Sequence, residues 1–395
     1  MALVTGNLPR LRLRKGRMSR VAANHPWVFS NELQEVLPLE PGTIAHLDGP
    51  GGEPLGIGYF NPRTLIAFRW LCRGGDLESD WIERRIERAV EKRAALYPNE
   101  ECVRLVFGES DSLPGLVVDK YGDCLALQVS TAGMERLRER VEAALFNLLK
   151  PRQIVRKDDS ASRELEGLQR GVTAVIAAES SVAEVSYLGL KLRVDLAEGQ
   201  KTGLFLDQRE NVRELLRLMP RGATFLDVFC YQGVWGLAAL KAGASRASFV
   251  DASPSACIAV QSTLAANGLP DCDIHQGDAF DVLPLLQSSK ERFGVVVTDP
   301  PAFAKSRKHL PEALKAYSRL NEMAMRLVEP GGLLVACSCS HHVGMETFLE
   351  ALGESAQRAR RTATLLELRG QAPDHPVLLN FPEGAYLKCA ILVLS

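Results

Sequence analysis

The second half of the sequence, from about residue 205, alternates between amphipathic helical stretches and short, mostly apolar stretches. The apolar stretches are 224–229, 246–253, 295–301 and 333–340. Strands covered on both faces of a sheet have long apolar runs, and intervening helices carry the chain back so that the strands run parallel. The alternation therefore predicts an α/β domain with a parallel, doubly wound sheet.

The first 190 residues follow a different pattern. Short stretches of alternating polarity, separated by Gly, Pro and Asn clusters, predict a small β-barrel or compact β domain at the start. Helical spacing of apolar residues at 76–98 and 134–150 encloses a predicted three-stranded meander at 103–130. At 395 residues the chain is expected to contain two or three domains.

The composition indicates the cellular compartment and the redox state of the thiols. No apolar run approaches the ~20 residues of a membrane span, and no signal peptide is recognised. The nine cysteines are unevenly spaced without a CxxC pair, so neither a disulfide framework nor a metal site is expected. These features predict a cytoplasmic protein with reduced thiols and no membrane contact.

Cations are concentrated near the N-terminus, although the formal net charge is only −1. A local basic face binds phosphate even on a nearly neutral protein, which makes RNA binding one interpretation of residues 10–20. A solvated leader or an edge strand is the alternative. The predicted RNA ligands in this segment are Arg10, Arg12, Arg14, Lys15 and Arg17.

Carboxylates follow four predicted strands of the α/β half. Asp227 ends the first strand and is followed by a tight turn with Gly233, while Asp251, Asp278 and Asp299 follow the next three strands. Small residues at a strand-to-helix turn let backbone N–H groups approach a ligand, and an acid after the next strand can bind ribose hydroxyls. Each strand end alone is compatible with an ordinary turn, but four in this order predict a nucleotide-cofactor site. An NAD site is disfavoured because the glycine triplet that cradles pyrophosphate is absent.

This order of strand ends resembles the class I S-adenosylmethionine methyltransferases, which implies a Rossmann-like domain and S-adenosylmethionine as cofactor. On that resemblance Asp227 and Gly233 line the methionine end, Asp251 holds the ribose and Asp278 faces adenine. Asp299 faces the methyl group and the target base. The cofactor-binding residues expected are Gln208, Arg209, Asp227, Phe229, Tyr231, Gly233, Asp251, Ala252, Asp278, Ala279, Asp299 and Pro300.

Gln208 and Arg209 are included because they could hydrogen-bond the cofactor's carboxylate, Arg209 bidentately. The alternative is a capping box in which Asp207 is the N-cap and Glu210 follows three residues later. The two interpretations are compatible.

The fifth predicted strand ends at two cysteines, Cys337 and Cys339. C5 of cytosine is too weak a nucleophile to take a methyl group directly. A thiolate that adds to C6 makes C5 enamine-like, and loss of the C5 proton later expels the cysteine. Cys339, beyond the strand, is the predicted nucleophile, with an inert buried thiol as the alternative. Cys337 is expected to be a small core residue whose side chain points the same way.

Other groups near this strand end have two interpretations each. Asp299 is the second predicted catalytic residue, hydrogen-bonded to the edge of the base. Phe303 and Lys305 are expected to stack on the base or hold phosphates, unless their loop is a mobile lid. His341 or His342 could remove the C5 proton, but capping of the next helix is favoured.

Motifs along nearly the whole chain resemble those of the bacterial 23S ribosomal RNA cytosine-C5 methyltransferases that carry an N-terminal PUA domain. They are His25–Phe29, Gly108–Gly115, Gly203–Arg209, Asp299–Phe303, Ser338–Ser340, Asp374–Pro376 and Pro382–Gly384. The resemblance implies three parts: a PUA RNA-binding barrel at 1–75, a central α+β domain at 76–190 and a methyltransferase domain at 191–395. It also implies 5-methylcytosine as the product. The implied partner is 23S rRNA or a large-subunit assembly intermediate.

Departures from the family pattern leave alternatives open. Gln232 and Trp235 are expected to add bulk beside the methyl donor, and no cysteine adjoins Pro300 to release the enzyme. Release would then depend on Asp299, water or another base. The alternatives are a guanine-N7 or other base methyltransferase, and an assembly factor that binds the cofactor without catalysis. Exposed strand edges in the central domain make a homodimer a candidate.

Overall fold

The fold is described from a computed structural model, which covers residues 8–75, 77–176, 180–199, 202–304 and 306–395. The chain forms two compact units. The first contains the described parts of Met1–Val185, Arg193–Leu204 and Pro373–Gly384, and the second contains Ser186–Leu192, Phe205–Ala372 and Ala385–Ser395. The β domain and the central domain lie in the same unit, and the domain boundaries given above stay predictions.

A five-stranded sheet begins the first unit. Its elements are β1 (Arg10–Arg12), α1 (Ser19–Ala22), β2 (Trp27–Val28), β3 (Thr43–Asp48), β4 (Pro54–Phe60) and β5 (Phe68–Arg73). The strand order is β1-β3-β4-β5-β2, with only β1 and β3 parallel among these neighbours. Leu11 is buried with Phe60 and Phe68, whereas Arg10 and Arg12 are exposed, as the two-residue period of a half-buried strand requires.

A second five-stranded sheet follows. Its elements are α2 (Trp81–Leu96), β6 (Cys102–Phe107), β7 (Leu116–Tyr121), β8 (Cys124–Val129), α3 (Ala132–Arg136), α4 (Arg138–Leu149), β9 (Gln153–Asp158), α5 (Ser162–Leu165) and β10 (Gly171–Ile176). Strands β6, β7 and β8 form the predicted antiparallel meander. The helix predicted at 134–150 is broken at Leu137, whose φ of −101° and ψ of 1° are not helical.

The segment Pro373–Gly384 packs within the first unit. Asp374 Oδ2 accepts a hydrogen bond from the Arg104 backbone N–H at 3.1 Å, and the Phe381 ring lies edge-on to Trp27 with centroids 4.6 Å apart. Four of the motifs named above therefore contact one another here: His25–Phe29, Gly108–Gly115, Asp374–Pro376 and Pro382–Gly384.

The α/β domain predicted from the alternating pattern forms most of the second unit, which confirms the fold class. Its elements are α6 (Arg209–Leu218), β13 (Thr224–Val228), α7 (Val234–Lys241), β14 (Arg246–Asp251), α8 (Pro254–Ala266), β15 (Asp273–Gln276), α9 (Ala279–Ser288), β16 (Phe293–Thr298), α10 (Leu310–Leu327), β17 (Val328–Ser338), α11 (Met345–Ala359), β18 (Ala363–Arg369) and β19 (Lys388–Leu394). Before it, β11 (Val182–Tyr187) and β12 (Leu190–Asp195) form a two-stranded sheet.

The order of the seven strands is β15-β14-β13-β16-β17-β19-β18. The first five run parallel, and β19 is antiparallel to both of its neighbours. The order reverses between β13 and β16, and α/β sheets bind ligands at such a switch point, beyond the carboxyl ends of the strands. Within the described ranges, no helix has the length and apolar character needed to cross a bilayer, and no group of side chains could hold a metal ion.

Candidate active site

The turn after β13 is strained and is fastened to β14. Phe229, Tyr231 and Gly233 have φ angles of 63°, 49° and 72°, so two non-glycine residues adopt left-handed backbone within one short turn. The Phe229 N–H donates to the Val250 carbonyl at 2.8 Å, and the Tyr231 N–H donates to Asp251 Oδ2 at 2.9 Å. These bonds hold the turn open at the carboxyl edge of the sheet.

Asp227 supports this turn from inside the core. Its carboxylate is fully buried and accepts the Gly236 N–H at 3.0 Å. Burial, with smaller contributions from Asp299 and Asp251, raises the pKa of Asp227 well above its ordinary value. A Cβ at Gly236 would lie 2.5 Å from the Phe249 ring, so this position in the first turn of α7 requires glycine. Direct contact between Asp227 and the cofactor stays a prediction.

The next two strand ends present carboxylates at the same edge. Asp251 is half-buried, and its Oδ1 also accepts the Ser253 N–H at 2.9 Å. Asp278 is exposed and caps α9 by accepting the Phe280 N–H at 2.8 Å. Next to them Ala252 is exposed, whereas Ala279 is buried. Two acceptors after consecutive strands fit the ribose hydroxyls and the adenine amino group of the cofactor.

Gln208 contacts Asp299. Its amide donates to Asp299 Oδ2 at 2.9 Å and accepts from Asn211 Nδ2 at 2.7 Å. The Trp235 indole N–H also reaches Asp299 Oδ2, at 3.3 Å. Trp235 was expected only to add bulk beside the donor, but it is a hydrogen-bond donor to the predicted catalytic carboxylate. The predicted role of Gln208 at the cofactor's carboxylate stays a prediction.

The capping box predicted at Asp207 is wrong. Asp207 lies inside a short 3₁₀ turn, Leu206–Gln208, and its carboxylate accepts the Tyr386 hydroxyl at 2.5 Å. Arg209 is fully buried, and its guanidinium lies 5.3 Å from the centroid of the Tyr187 ring. Its contact with the cofactor's carboxylate stays a prediction.

The Ser-Cys-Ser motif follows the alternation of an extended chain. Ser338 and Ser340 are buried and share the Tyr317 hydroxyl, at 3.0 and 2.9 Å. Cys339, between them, is half-buried, and its Sγ lies 3.8 Å from the Pro300 carbonyl oxygen. The two serines therefore fix the backbone while the thiol faces the Asp299-Pro300 turn.

Cys337 lies in the core, as expected. It is fully buried opposite Cys389 of β19, and burial raises the pKa of its thiol well above the ordinary value. Of the two cysteines at this strand end, Cys339 is the accessible one.

Lys388, which the sequence interpretation missed, lies behind the same motif. It is buried, and its Nζ donates to the carbonyls of Ser340 at 2.6 Å and Tyr386 at 2.8 Å. Burial lowers the pKa of Lys388 to about 8, and the charge of Cys339 opposes that shift. A lone lysine beginning an otherwise apolar strand was the signal that could have revealed it.

The two histidines after the motif are exposed. The next helix, α11, begins at Met345 with Gly344 in the N-cap position, so the expected capping by His341 or His342 is wrong. The ring of His341 lies 5.5 Å from that of Tyr386.

The predicted RNA ligands differ in their availability. Arg10 is engaged by both carboxylate oxygens of Asp48, at 2.5 and 2.7 Å, and Arg14 donates to the Leu33 carbonyl at 2.6 Å. The remaining three predicted ligands are exposed, and no carboxylate of the described residues forms an ion pair with them: Arg12, Lys15 and Arg17.

Phe303 follows the Asp299-Pro300 turn by three residues. Its ring is half-buried, and its centroid is 4.8 Å from that of Tyr317 and 6.4 Å from that of Phe229. The other ligand predicted in this loop, Lys305, lies outside the described residues. Stacking of Phe303 on a base stays a prediction.

Two family models match the chain, and relatives match it over nearly its whole length. Residues 11–73 match the family model of the PUA-like domain, and residues 175–382 match that of the S-adenosylmethionine-dependent methyltransferases. The ribosomal RNA large subunit methyltransferase I of Shewanella denitrificans is 35% identical over 390 residues, 96% of this chain and 98% of that protein. The Aeromonas hydrophila protein of the same name is 36% identical over 386 residues, 95% of this chain and 96% of that protein.

Solved structures share the fold along the whole chain. A Streptococcus mutans protein assigned to the S-adenosylmethionine-dependent methyltransferases has a TM-score of 0.83 at 19% identity, covering 98% of this chain and 100% of that one. A structure described as a methyltransferase complexed with SAH has a TM-score of 0.85 at 19% identity, with the same coverage.

Proposed function

This chain belongs to the ribosomal RNA large subunit methyltransferase I family of S-adenosylmethionine-dependent methyltransferases, and from that premise we propose that it methylates C5 of a cytosine in 23S rRNA through a covalent bond between Cys339 and C6. The observation that carries the proposal is the half-buried thiol beside the Asp299-Pro300 turn. A guanine N7 accepts a methyl group without a thiol, whereas a cytosine C5 requires one.

The cofactor site fits S-adenosylmethionine. Carboxylates after consecutive strands, at Asp251 and Asp278, accept hydrogen bonds from ribose and adenine, and the strained turn at Phe229–Gly233 leaves backbone groups for the methionine end. When bound, the cofactor supplies a methyl group on a positively charged sulfur.

The proposed reaction begins with Cys339. Its thiolate adds to C6 and pushes electron density onto C5, which then takes the methyl group from the sulfonium. Removal of the C5 proton restores the C5=C6 double bond and expels the thiolate. Asp299, or a water bound to it, is the proposed base. Gln208 and Trp235 both donate to Asp299 Oδ2 and so fix the orientation of the carboxylate that is proposed to hydrogen-bond the base or take the proton.

The proposed substrate is 23S rRNA, either free or in a large-subunit assembly intermediate. A duplex cytosine must leave its stack to reach Cys339, which costs a few kcal/mol. Phosphate contacts from the PUA-like domain, through Arg12, Lys15 and Arg17, would offset that cost. A homodimer through the edge strands of the central sheet, β6 and β10, is part of the proposal and is tested by light scattering of the purified chain.

The test uses RNA that contains 5-fluorocytosine at the target position. Fluorine at C5 cannot leave as a cation, so a covalent RNA–protein complex should accumulate with wild-type protein and S-adenosylmethionine but not with Cys339→Ala. The target is first located by mass mapping of 23S rRNA from cells with and without the gene. Full methyl transfer by Cys339→Ala would overturn the covalent mechanism, and a missing methyl on guanine would overturn the cytosine assignment.

A further inference from the structure

A buried ammonium group is bonded to the residue that follows the proposed nucleophile. Lys388 is only 4% exposed and stands opposite Ser338 in the antiparallel pairing of β17 and β19. Its Nζ is held by the Ser340 and Tyr386 carbonyls. The cation is thus bonded to the residue that follows Cys339, on the inner side of the loop.

The positive charge of this ammonium group has no carboxylate counter-charge among the described residues. Two carbonyl dipoles solvate it, but no carboxylate of the described residues forms an ion pair with it. An isolated buried charge is costly unless a counter-charge is nearby. Among the described residues, the charged neighbour that acts on Lys388 is Cys339, whose thiolate raises the lysine pKa against the effect of burial. Because this interaction is mutual, the ammonium must favour the thiolate to the same extent.

We propose that Lys388 is a positioning residue that keeps Cys339 in its thiolate form, a role that rests on the proposed nucleophilic function of Cys339. Lys388 keeps its proton throughout. When the thiolate adds to C6, its negative charge moves into the cytosine ring, and the charge returns to sulfur when the cysteine is expelled. No proton is exchanged between the two side chains in either step.

Within the part of the chain that the structure describes, the other titratable groups around Cys339 are poorly placed for this task. Tyr317 of α10 shares its hydroxyl with Ser338 and Ser340, and burial raises its pKa, so it stays neutral. Asp299, after β16, cannot supply a positive charge. His341 is exposed and can carry a positive charge, which makes it the competing cation for the experiment to separate.

The experiment measures the rate of Cys339 alkylation by iodoacetamide between pH 5.5 and 10 in the full chain. Cys339 and Cys337 share a tryptic peptide, and fragment-ion masses distinguish them. We expect the wild-type midpoint about one pH unit or more below the ordinary thiol value of about 8.5. Lys388→Met should raise the midpoint by about one unit or more, and Lys388→Arg, which retains the charge, should restore most of the shift.

Two matched variants complete the design. Lys191→Met makes the same change at an exposed position of β12, and His341→Gln removes the competing cation; both should keep the wild-type midpoint. A folded Lys388→Met protein with an unchanged midpoint would overturn the proposal, as would a shift found only with His341→Gln. If Lys388→Met does not fold, a wild-type midpoint at or above about 8.5 overturns it without any variant.

Alkylation does not require RNA or methyl transfer. The alkylation midpoint of Cys339 can be lowered while no covalent complex forms with 5-fluorocytosine RNA. That result would support the lysine–thiolate pair and refute the proposed function. A covalent RNA–protein complex together with an ordinary alkylation midpoint for Cys339 would refute only the role of Lys388.

Discussion

At the scale of single residues, the Asp299 carboxylate is held by two donors from different elements. Gln208 precedes α6, and Trp235 lies in the first turn of α7. Both donate to Oδ2, so the rotation of the carboxylate is fixed before any substrate binds. Preorganised polar groups of this kind lower a reaction barrier because they need no reorientation during the reaction.

Replacement of Trp235 by Phe tests the indole bond. The ring volume is largely kept while the N–H donor is lost, so we expect methyl transfer to slow by about fivefold, corresponding to about 1 kcal/mol for one hydrogen bond. The dissociation constant of S-adenosylmethionine should stay nearly unchanged. Trp81→Phe is the matched control, because the buried Trp81 N–H has no hydrogen-bond partner among the described residues. Equal turnover of Trp235→Phe and wild type would show that Gln208 alone suffices.

Lys388 should also make the free energy of unfolding depend on pH. Its folded pKa of about 8 lies below the ordinary 10.5, so between these values the unfolded chain holds a proton that the folded chain has released. Stability should therefore rise with pH across this window, by the linkage between proton uptake and unfolding. The measurement compares the unfolding midpoint of Cys339→Ala protein with that of Cys339→Ala protein that also carries Lys388→Met, at each pH. The difference between the two midpoints removes the contribution of all other titrating groups. A difference in unfolding midpoint that is flat from pH 8 to 10.5 would contradict the shift.

At the scale of elements, the sequence predicted what depends on local pattern. The apolar runs and the acids at their ends correctly predicted β13, β14, β16 and β17 and the edge where Asp227, Asp251 and Asp299 gather. The capping box at Asp207 did not form. Its carboxylate instead accepts a hydrogen bond from Tyr386, near the C-terminal end of the chain. Contacts across more than a hundred residues leave no periodic signal in the sequence.

The packing role of the Asp374-His375-Pro376 motif was unpredictable for the same reason. It completes a buried charge cluster in the first unit, where Arg93 contacts both oxygens of Asp111 at 2.7 and 2.8 Å and the Asp374 carbonyl at 3.0 Å. Arg93 is 2% exposed and Asp111 is 7% exposed, so neither charge has ready access to water.

Removal of one partner from this cluster should be strongly destabilising. Arg93→Met leaves the Asp111 carboxylate buried without its counter-charge, and we expect a loss of about 3–5 kcal/mol, seen as a lower urea midpoint for the first unit. Arg217→Met removes an exposed pair with Glu214 and should change stability by less than about 0.5 kcal/mol. Similar midpoints for the two variants would show that the cluster is dispensable.

At the scale of the whole molecule, the net charge of −1 gives RNA no general attraction. Binding to phosphates must then come from local cations. Four of the five predicted in the N-terminal segment are exposed without a carboxylate partner among the described residues: Arg12, Arg14, Lys15 and Arg17. Arg14 donates to the Leu33 carbonyl, which leaves Arg12, Lys15 and Arg17 for phosphate. Arg10 supports the β sheet through Asp48 instead.

Salt dependence tests this division of roles. Each phosphate contact to single-stranded RNA contributes about −0.7 to the slope of log binding constant against log salt concentration. A chain carrying Arg12→Ala, Lys15→Ala and Arg17→Ala should therefore lose about two units of slope and bind more weakly at every salt concentration. Arg88→Ala with Lys92→Ala, two exposed cations of α2, controls for a general loss of positive charge. An equal loss of slope in both variants would mean that RNA responds to total charge and not to this segment, whereas a loss confined to the triple variant would assign the phosphate contacts to the PUA-like domain.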